Sequence, residues 1–174
     1  MTILHLIHKA LWYCVLFIPA VIGSLIAMVF APAICLLVDY QGYLPKYLKW
    51  FEPTDTISGC LDELWANEHP SWSHYKLCWT FIQRNPFYGF LAYVSCSASS
   101  TTKTYGNDNI DDKRGVSGWF FILGNNGAFQ FRFIYPIGFG KCIQGDYGWQ
   151  LKTPTHKTYS MMQLAPFRFY KFGK

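Results

Sequence analysis

From Ala10 to Val38 the chain carries no charged side chain, and its apolar residues occur at every helical azimuth rather than alternating or forming one stripe. About 20 apolar residues rising 1.5 Å each cross a hydrocarbon core of roughly 30 Å. The run therefore predicts a transmembrane helix with length to spare. A secretory apolar region is usually about 7–15 residues and leads into a small-residue cleavage site, which this run does not. A buried core helix is the alternative, yet 174 residues leave little protein to wrap one. Trp12, Phe17, Pro19, Ile26, Phe30 and Pro32 are the expected anchor residues. Pro19, with Gly23 and Ser24 a turn later, predicts a bend, and a shallow re-entrant hairpin is the other geometry.

Past the run, Tyr40, Tyr43, Leu44, Tyr47, Leu48 and Phe51 recur at intervals of three and four, with Lys46 and Lys49 between them. That spacing predicts a short amphipathic helix with Pro45 in its first turn. Tyr43, Lys46, Tyr47, Lys49 and Trp50 would be its interfacial residues, the lysines reaching for head groups. A linker helix packed on its own domain fits the same spacing. Cys60–Asn67 and Pro70–Ile82 read as further short helices, and Pro86 ends the second. Asp55, Arg84 and Asn85 are candidates for a structural bridge among the surrounding loops. The chain thus divides into a membrane anchor over 1–38, an interfacial helix over 39–51 and a small aromatic-rich α+β domain over 52–174.

Ser95–Lys113 shifts to small and polar residues, the composition of a mobile loop or an edge hairpin. Period two then takes over. Trp119–Leu123, the turn Gly124-Asn-Asn-Gly127 and Ala128–Tyr135 predict a hairpin. Phe129, Phe131, Phe133 and Tyr135 share one face, which reads as buried, and Gln130, Arg132 and Ile134 share the other. Phe139–Ile143, Tyr147–Lys152 and Met161–Tyr170 supply further strands. The expected fold class is α+β: an N-terminal transmembrane helix, a short interfacial helix, a small helical segment and a C-terminal antiparallel β-sheet packed on the helices of residues 60–83.

Composition sharpens the membrane reading. Charged residues are 14% of the chain, against about 25% in an ordinary soluble domain, and aromatic residues are 20%. Trp and Tyr favour lipid–water and protein interfaces, so interface seating, a homo-oligomer, or both are expected. Lys9 flanks the run on one side and Lys46 and Lys49 on the other, which favours the large C-terminal part in the cytoplasm by a small margin. Cys60, Cys78, Cys96 and Cys142 are scattered singly, as reduced thiols would be; in an oxidising compartment two disulfides are the alternative.

No residue set identifies a reaction. His69 and His74 are five apart with Pro70 between, so they cannot form the i, i+4 ligand pair of a zinc protease, and Cys60, His69, His74 and Cys78 are irregularly spaced for a metal. Asp108, Asp111 and Asp112 miss the alternating pattern of a calcium loop. Phosphate-loop, nucleophile-elbow and dinucleotide fingerprints do not occur in the sequence. No catalytic residue, metal or cofactor is expected. The net charge of +5 is concentrated with aromatic residues in the last third, including Phe167 and Phe169, but the alternation of the phenylalanines reads as core packing and no RNA-recognition signature appears. Nucleic acid is therefore not the expected partner, and the same charge suits anionic head groups.

The series Leu44-Pro-Lys-Tyr-Leu-Lys-Trp-Phe51, Pro53-Thr-Asp55, Arg84-Asn-Pro-Phe-Tyr-Gly-Phe90, Tyr147-Gly-Trp149-Gln-Leu151 and Ala165-Pro-Phe-Arg-Phe169 resembles a family of small, functionally uncharacterised tailed-bacteriophage proteins, over most of the chain. The resemblance implies a phage origin and a bacterial host membrane or virion, and it brings no catalytic residue. The expectation is a phage-encoded, membrane-anchored, non-catalytic protein at the host inner membrane. Its partners would be the lipid bilayer and a host or phage protein. The alternative is a virion component whose apolar segment is sheltered in a tail or ejection assembly.

Overall fold

An unbroken helix, α1 (Ile3–Cys35), opens the chain in the computed structural model, which describes residues 3–53, 59–152 and 158–173. Three short helices follow, α2 (Glu63–Glu68), α3 (His74–Arg84) and α4 (Tyr88–Tyr93), and then seven strands: β1 (Cys96–Ser97), β2 (Thr101–Gly106), β3 (Gly118–Gly124), β4 (Phe129–Gly138), β5 (Lys141–Trp149), β6 (Tyr159–Ser160) and β7 (Met162–Lys171). The protein is α+β, with a long apolar N-terminal helix and a C-terminal antiparallel sheet. Its chain forms two compact units, residues 1–17 with 94–174 and residues 18–93. α1 contributes to both units.

In the unit of residues 18–93, α1 buries Ala20, Gly23, Ala27, Ala31, Ile34 and Cys35. Four of these are Ala or Gly, so neighbouring side chains approach the helix closely; a Cβ at Gly23 would collide with the Phe87 ring. α3 is amphipathic, with Leu77, Cys78, Phe81 and Ile82 buried. The Ser73 side chain caps its start by accepting from Lys76 N, and Pro86 stops it just past Asn85. Prolines inside α1 have a cost that this unit meets directly. Pro32 has no N–H for the carbonyl of Met28, and Gln83 Nε2 donates to that carbonyl at 3.0 Å. The Tyr75 hydroxyl donates to Pro32 O at 2.9 Å, where the helix runs out of amides.

Past α1 the expected amphipathic helix is confined to a 3₁₀ segment, Lys46–Phe51. Residues 39–43 instead form a turn in which the Asp39 carboxylate accepts from Gln41 N and Tyr43 N, both at 2.9 Å. Side chain-to-backbone bonding of this kind competes with helix formation, and Pro45 begins the helical segment only after it. The buried Glu52 holds the return, its Oε2 accepting from Leu44 N at 2.7 Å.

In the unit of residues 1–17 and 94–174, β2, β3, β4, β5 and β7 form one antiparallel sheet in that order, beside a two-stranded pair of β1 and β6. The β3–β4 hairpin turns through Gly124–Gly127 as expected, with Ala128 N donating to Asn126 Oδ1. Part of the polar stretch 95–113 takes the edge-hairpin form, since β2 pairs with β3 as the sheet edge. The helix laid on this sheet is the first part of α1, where the sequence pointed to residues 60–83; those helices belong to the other unit. Residues 153–155, whose Thr-Pro-Thr sequence reads as a turn after the Tyr147–Lys152 run, and Asp55 lie outside the described residues.

Candidate functional site

At about 100° per residue, Leu4, Ile7, Leu11, Val15, Ile18, Ile22, Leu25 and Val29 fall on one face of α1, and all eight are exposed. Of the expected anchor residues, Trp12, Pro19, Ile26 and Phe30 are exposed while Phe17 and Pro32 are half-buried. The helix is thus covered on one side and open on the other, with large aliphatic residues along the open side. α1 is long and apolar enough to cross a membrane. Among the interfacial candidates, Lys46, Tyr47, Lys49 and Trp50 are exposed and Tyr43 is half-buried. Trp50 also rests its ring on Phe87 and Phe90, with centroids 6.2 and 5.6 Å away.

The sheet reverses the expected sidedness. Gln130 and Ile134 are buried, whereas Phe129, Phe131 and Phe133 are half-buried and Tyr135 is exposed. Among the described residues Tyr13 covers the Phe129 end of the aromatic face, packing edge-on against Phe129 and Trp149 at 5.4 and 5.5 Å. Its hydroxyl donates to Gln163 O at 2.9 Å, and Lys9 Nζ stands 5.6 Å over the Trp149 ring. Farther along, Trp119, Phe131, Phe133 and Tyr135 line an open apolar groove of about 460 Å³. Phe133 lies over Gly145, its cross-strand partner, where a Cβ would meet the ring at 2.5 Å. At the β4–β5 turn Phe139 is fully exposed with φ 53°. Phe167's side chain is outside the described set.

The opposite face of the sheet is sheltered, and beside the buried Phe120, Ile122 and Ile134 it carries a line of polar residues. Gln130 Oε1 accepts from Leu151 N and Lys152 N, both at 2.9 Å, and its Nε2 donates to Asp146 at 3.2 Å. Arg132 faces the same carboxylate at a loose 3.9 Å. Gln130, Arg132, Gln144, Asp146, Gln150 and Gln163 help line a cavity of about 250 Å³. Arg132 Nε and Gln144 Oε1 are buried there with no hydrogen-bond partner among the described residues. The strict alternation of β4 and β5 contained this polar line, but nothing in the sequence marked it as the inner side.

Elsewhere the candidates take structural positions. The Arg84 guanidinium lies 4.7 Å over the Trp65 ring, and Asn85 donates from Nδ2 to Phe81 O at 3.4 Å. Asp62 caps α2 by accepting from Trp65 N. The His69 ring stacks on Trp72 at 3.9 Å, and Cys78 Sγ is 3.7 Å from His74 Nε2. Among the described residues no three His, Cys, Asp or Glu side chains stand together as metal ligands would. All six cysteines are free, and only Cys14 is exposed. Burial pushes the Cys78 thiol up to about 12, and Cys60 in the same core rises further. Outside the core, Asp111 accepts from the backbone and side chain of Arg114, which holds its carboxyl below the usual range.

Fold and surfaces together define a two-unit α+β chain with one long helix that is apolar on its open side. Residues 5–171 match the family of unknown function DUF7338, and the chain belongs to that family. Neither the curated proteins nor the solved structures hold a match to it.

Proposed function

We propose that this is a phage-encoded, membrane-anchored interaction protein that acts at the envelope of a bacterial host without catalysing a reaction. The observation that carries the reading is the uninterrupted exposed apolar face of α1. Transfer of that face from water to lipid is favourable at roughly 25 cal/mol per Å². The open aromatic groove of Trp119, Phe131, Phe133 and Tyr135 supports a second role as the surface for a host or phage protein. The excess of Lys and Arg suits an anionic inner-membrane leaflet, with the sheet on the cytoplasmic side. The motif series quoted above supports the phage origin.

Fractionating infected cells and washed phage particles side by side, with this chain quantified in each, tests the reading. Recovery with the inner membrane and resistance to a high-salt wash is the expected result. A fixed copy number in the particles moves the chain to virion assembly, and recovery in the soluble fraction removes the anchor.

A further inference from the structure

We propose that α1 lies in the plane of a single leaflet, with its open face in the lipid and the two chain ends on the same side, instead of crossing the bilayer. This rests on the membrane reading and replaces the spanning geometry that the length of the apolar run suggests.

Residues 18–93 make the case by themselves. α3 runs antiparallel to α1 and touches it repeatedly: Gln83 donates to Met28 O and Tyr75 to Pro32 O, and Cys35 Sγ lies 3.8 Å from Tyr75 O. Those points lie along about two turns of α1, Met28 to Cys35. α3 carries exposed His74, Lys76, Gln83 and Arg84. If this part of α1 crossed the hydrocarbon, α3 and its cations would have to enter too, and lipid admits such groups only where protein or water surrounds them. The capped ends of α3 and the turns around it would also need every backbone group satisfied without water.

Residues 1–17 and 94–174 make it again. Lys9 and Tyr13 are fixed to Trp149, Phe129 and Gln163, so a crossing first half of α1 would carry an open sheet into the core. β2 is an unclosed edge with exposed Thr101, Lys103 and Thr104, and open edges do not occur in hydrocarbon. A span needs about 20 residues. Any such window within Ile3–Cys35 includes Lys9 and Tyr13, or Gly23 and Met28, or all four.

A helix in the plane has no such conflict. Its covered side faces its own chain, and its open side sinks among the acyl chains to about 5–10 Å. The distribution of small residues favours lipid over a second copy of the chain as the occupant. Ala20, Gly23, Ala27 and Ala31, the kind of stripe that lets membrane helices pair closely, are already buried inside the protein. The open side is mainly Leu, Ile and Val, with Trp12 and Phe30 toward its margin, and lipid tails accommodate such side chains without a fixed partner.

The full chain, tagged at both termini and produced in bacterial cells, gives the test. After protease treatment of spheroplasts, in-plane seating leaves both tags in the same state, and opposite states overturn it. A second readout is depth. In a Cys14→Ser background, where the remaining thiols are buried, Leu11→Cys, Ile18→Cys and Leu25→Cys are introduced singly, labelled with a fluorophore and quenched in phosphatidylethanolamine–phosphatidylglycerol vesicles by lipids carrying nitroxides at set depths. Equal, shallow quenching at all three positions is expected. A gradient running to the bilayer centre overturns the proposal, as do unquenched probes that cross-link between copies. A chain found entirely in the soluble fraction, by contrast, fails the membrane reading itself.

Discussion

On α3 the apolar residues Leu77, Cys78, Phe81 and Ile82 are buried, and His74, Lys76 and Gln83 stay exposed. On β4 the polar Gln130 is buried to 2% exposure, while Phe131 and Phe133 stay half-open and Tyr135 is 45% exposed. Both elements alternate with the period of their secondary structure, so the difference lies in what covers each face. α3 lies on the small-residue stripe of α1, which offers an apolar surface at close range. Among the described residues the aromatic face of β4 receives its lid at the Phe129 end, from Tyr13. Its polar side is closed by residues 151–152, whose amides Gln130 satisfies, and a buried amide that accepts two hydrogen bonds and donates a third costs little.

Four changes break or sharpen this comparison. The largest effect is expected at the lid. Tyr13→Ala removes a buried ring from Phe129 and Trp149 and should cost about 3–5 kcal/mol in denaturant unfolding of the full chain. The exposed neighbour change Val15→Ala should cost far less. Gln130→Ala comes next, since it leaves the Leu151 and Lys152 amides without their acceptor; a loss of roughly 2–3 kcal/mol by the same measurement is expected. If it is silent, water reaches those amides and the polar face is not sheltered.

The third change is in pH. The fold holds the Cys78 and Cys60 thiols protonated above their ordinary value, so the folded state binds more protons than the unfolded chain at alkaline pH. Their stabilisation is whole below the ordinary thiol value and is lost as pH rises through about 12 for Cys78. Melting temperatures taken across that range should fall less steeply for Cys78→Ala than for the parent protein. The smallest effect on stability is at the β4–β5 tip. Phe139→Ser should change unfolding free energy by less than about 0.5 kcal/mol, while lowering the amount of detergent needed to keep the chain dispersed.

What could be read from the sequence follows from the same contrast. The apolar run, the Pro86 stop of α3, the Gly124–Gly127 turn and the period of β4 are local, and each was legible because one backbone geometry permits it. The sidedness of β4 was not, since Phe129, Phe131 and Phe133 alternate identically whether lipid, protein or water faces them. The 3₁₀ segment was overread as a longer helix because Asp39 looks like any polar residue until its carboxylate is seen bonding Gln41 and Tyr43. The two-faced character of α1 was hidden for a different reason. Ala, Gly, Leu and Ile are all apolar, so hydropathy does not separate the covered stripe from the open one, although the three-four spacing of Ala20, Gly23, Ala27 and Ala31 carried the signal. The pairing of Gln83 with the carbonyl freed by Pro32 joins residues far apart in the chain, and no local pattern announces it.

The account stands most directly on whether the open face of α1 holds lipid. Flotation of the full chain with phosphatidylethanolamine–phosphatidylglycerol vesicles, compared with a Leu11→Asn/Ile18→Asn/Leu25→Asn variant altered only on that face, measures it. The parent chain should rise with the vesicles, and the variant should stay in the dense fraction with its far-ultraviolet circular dichroism unchanged. Equal flotation of the two, or none by either, would contradict the assignment of that face to the membrane.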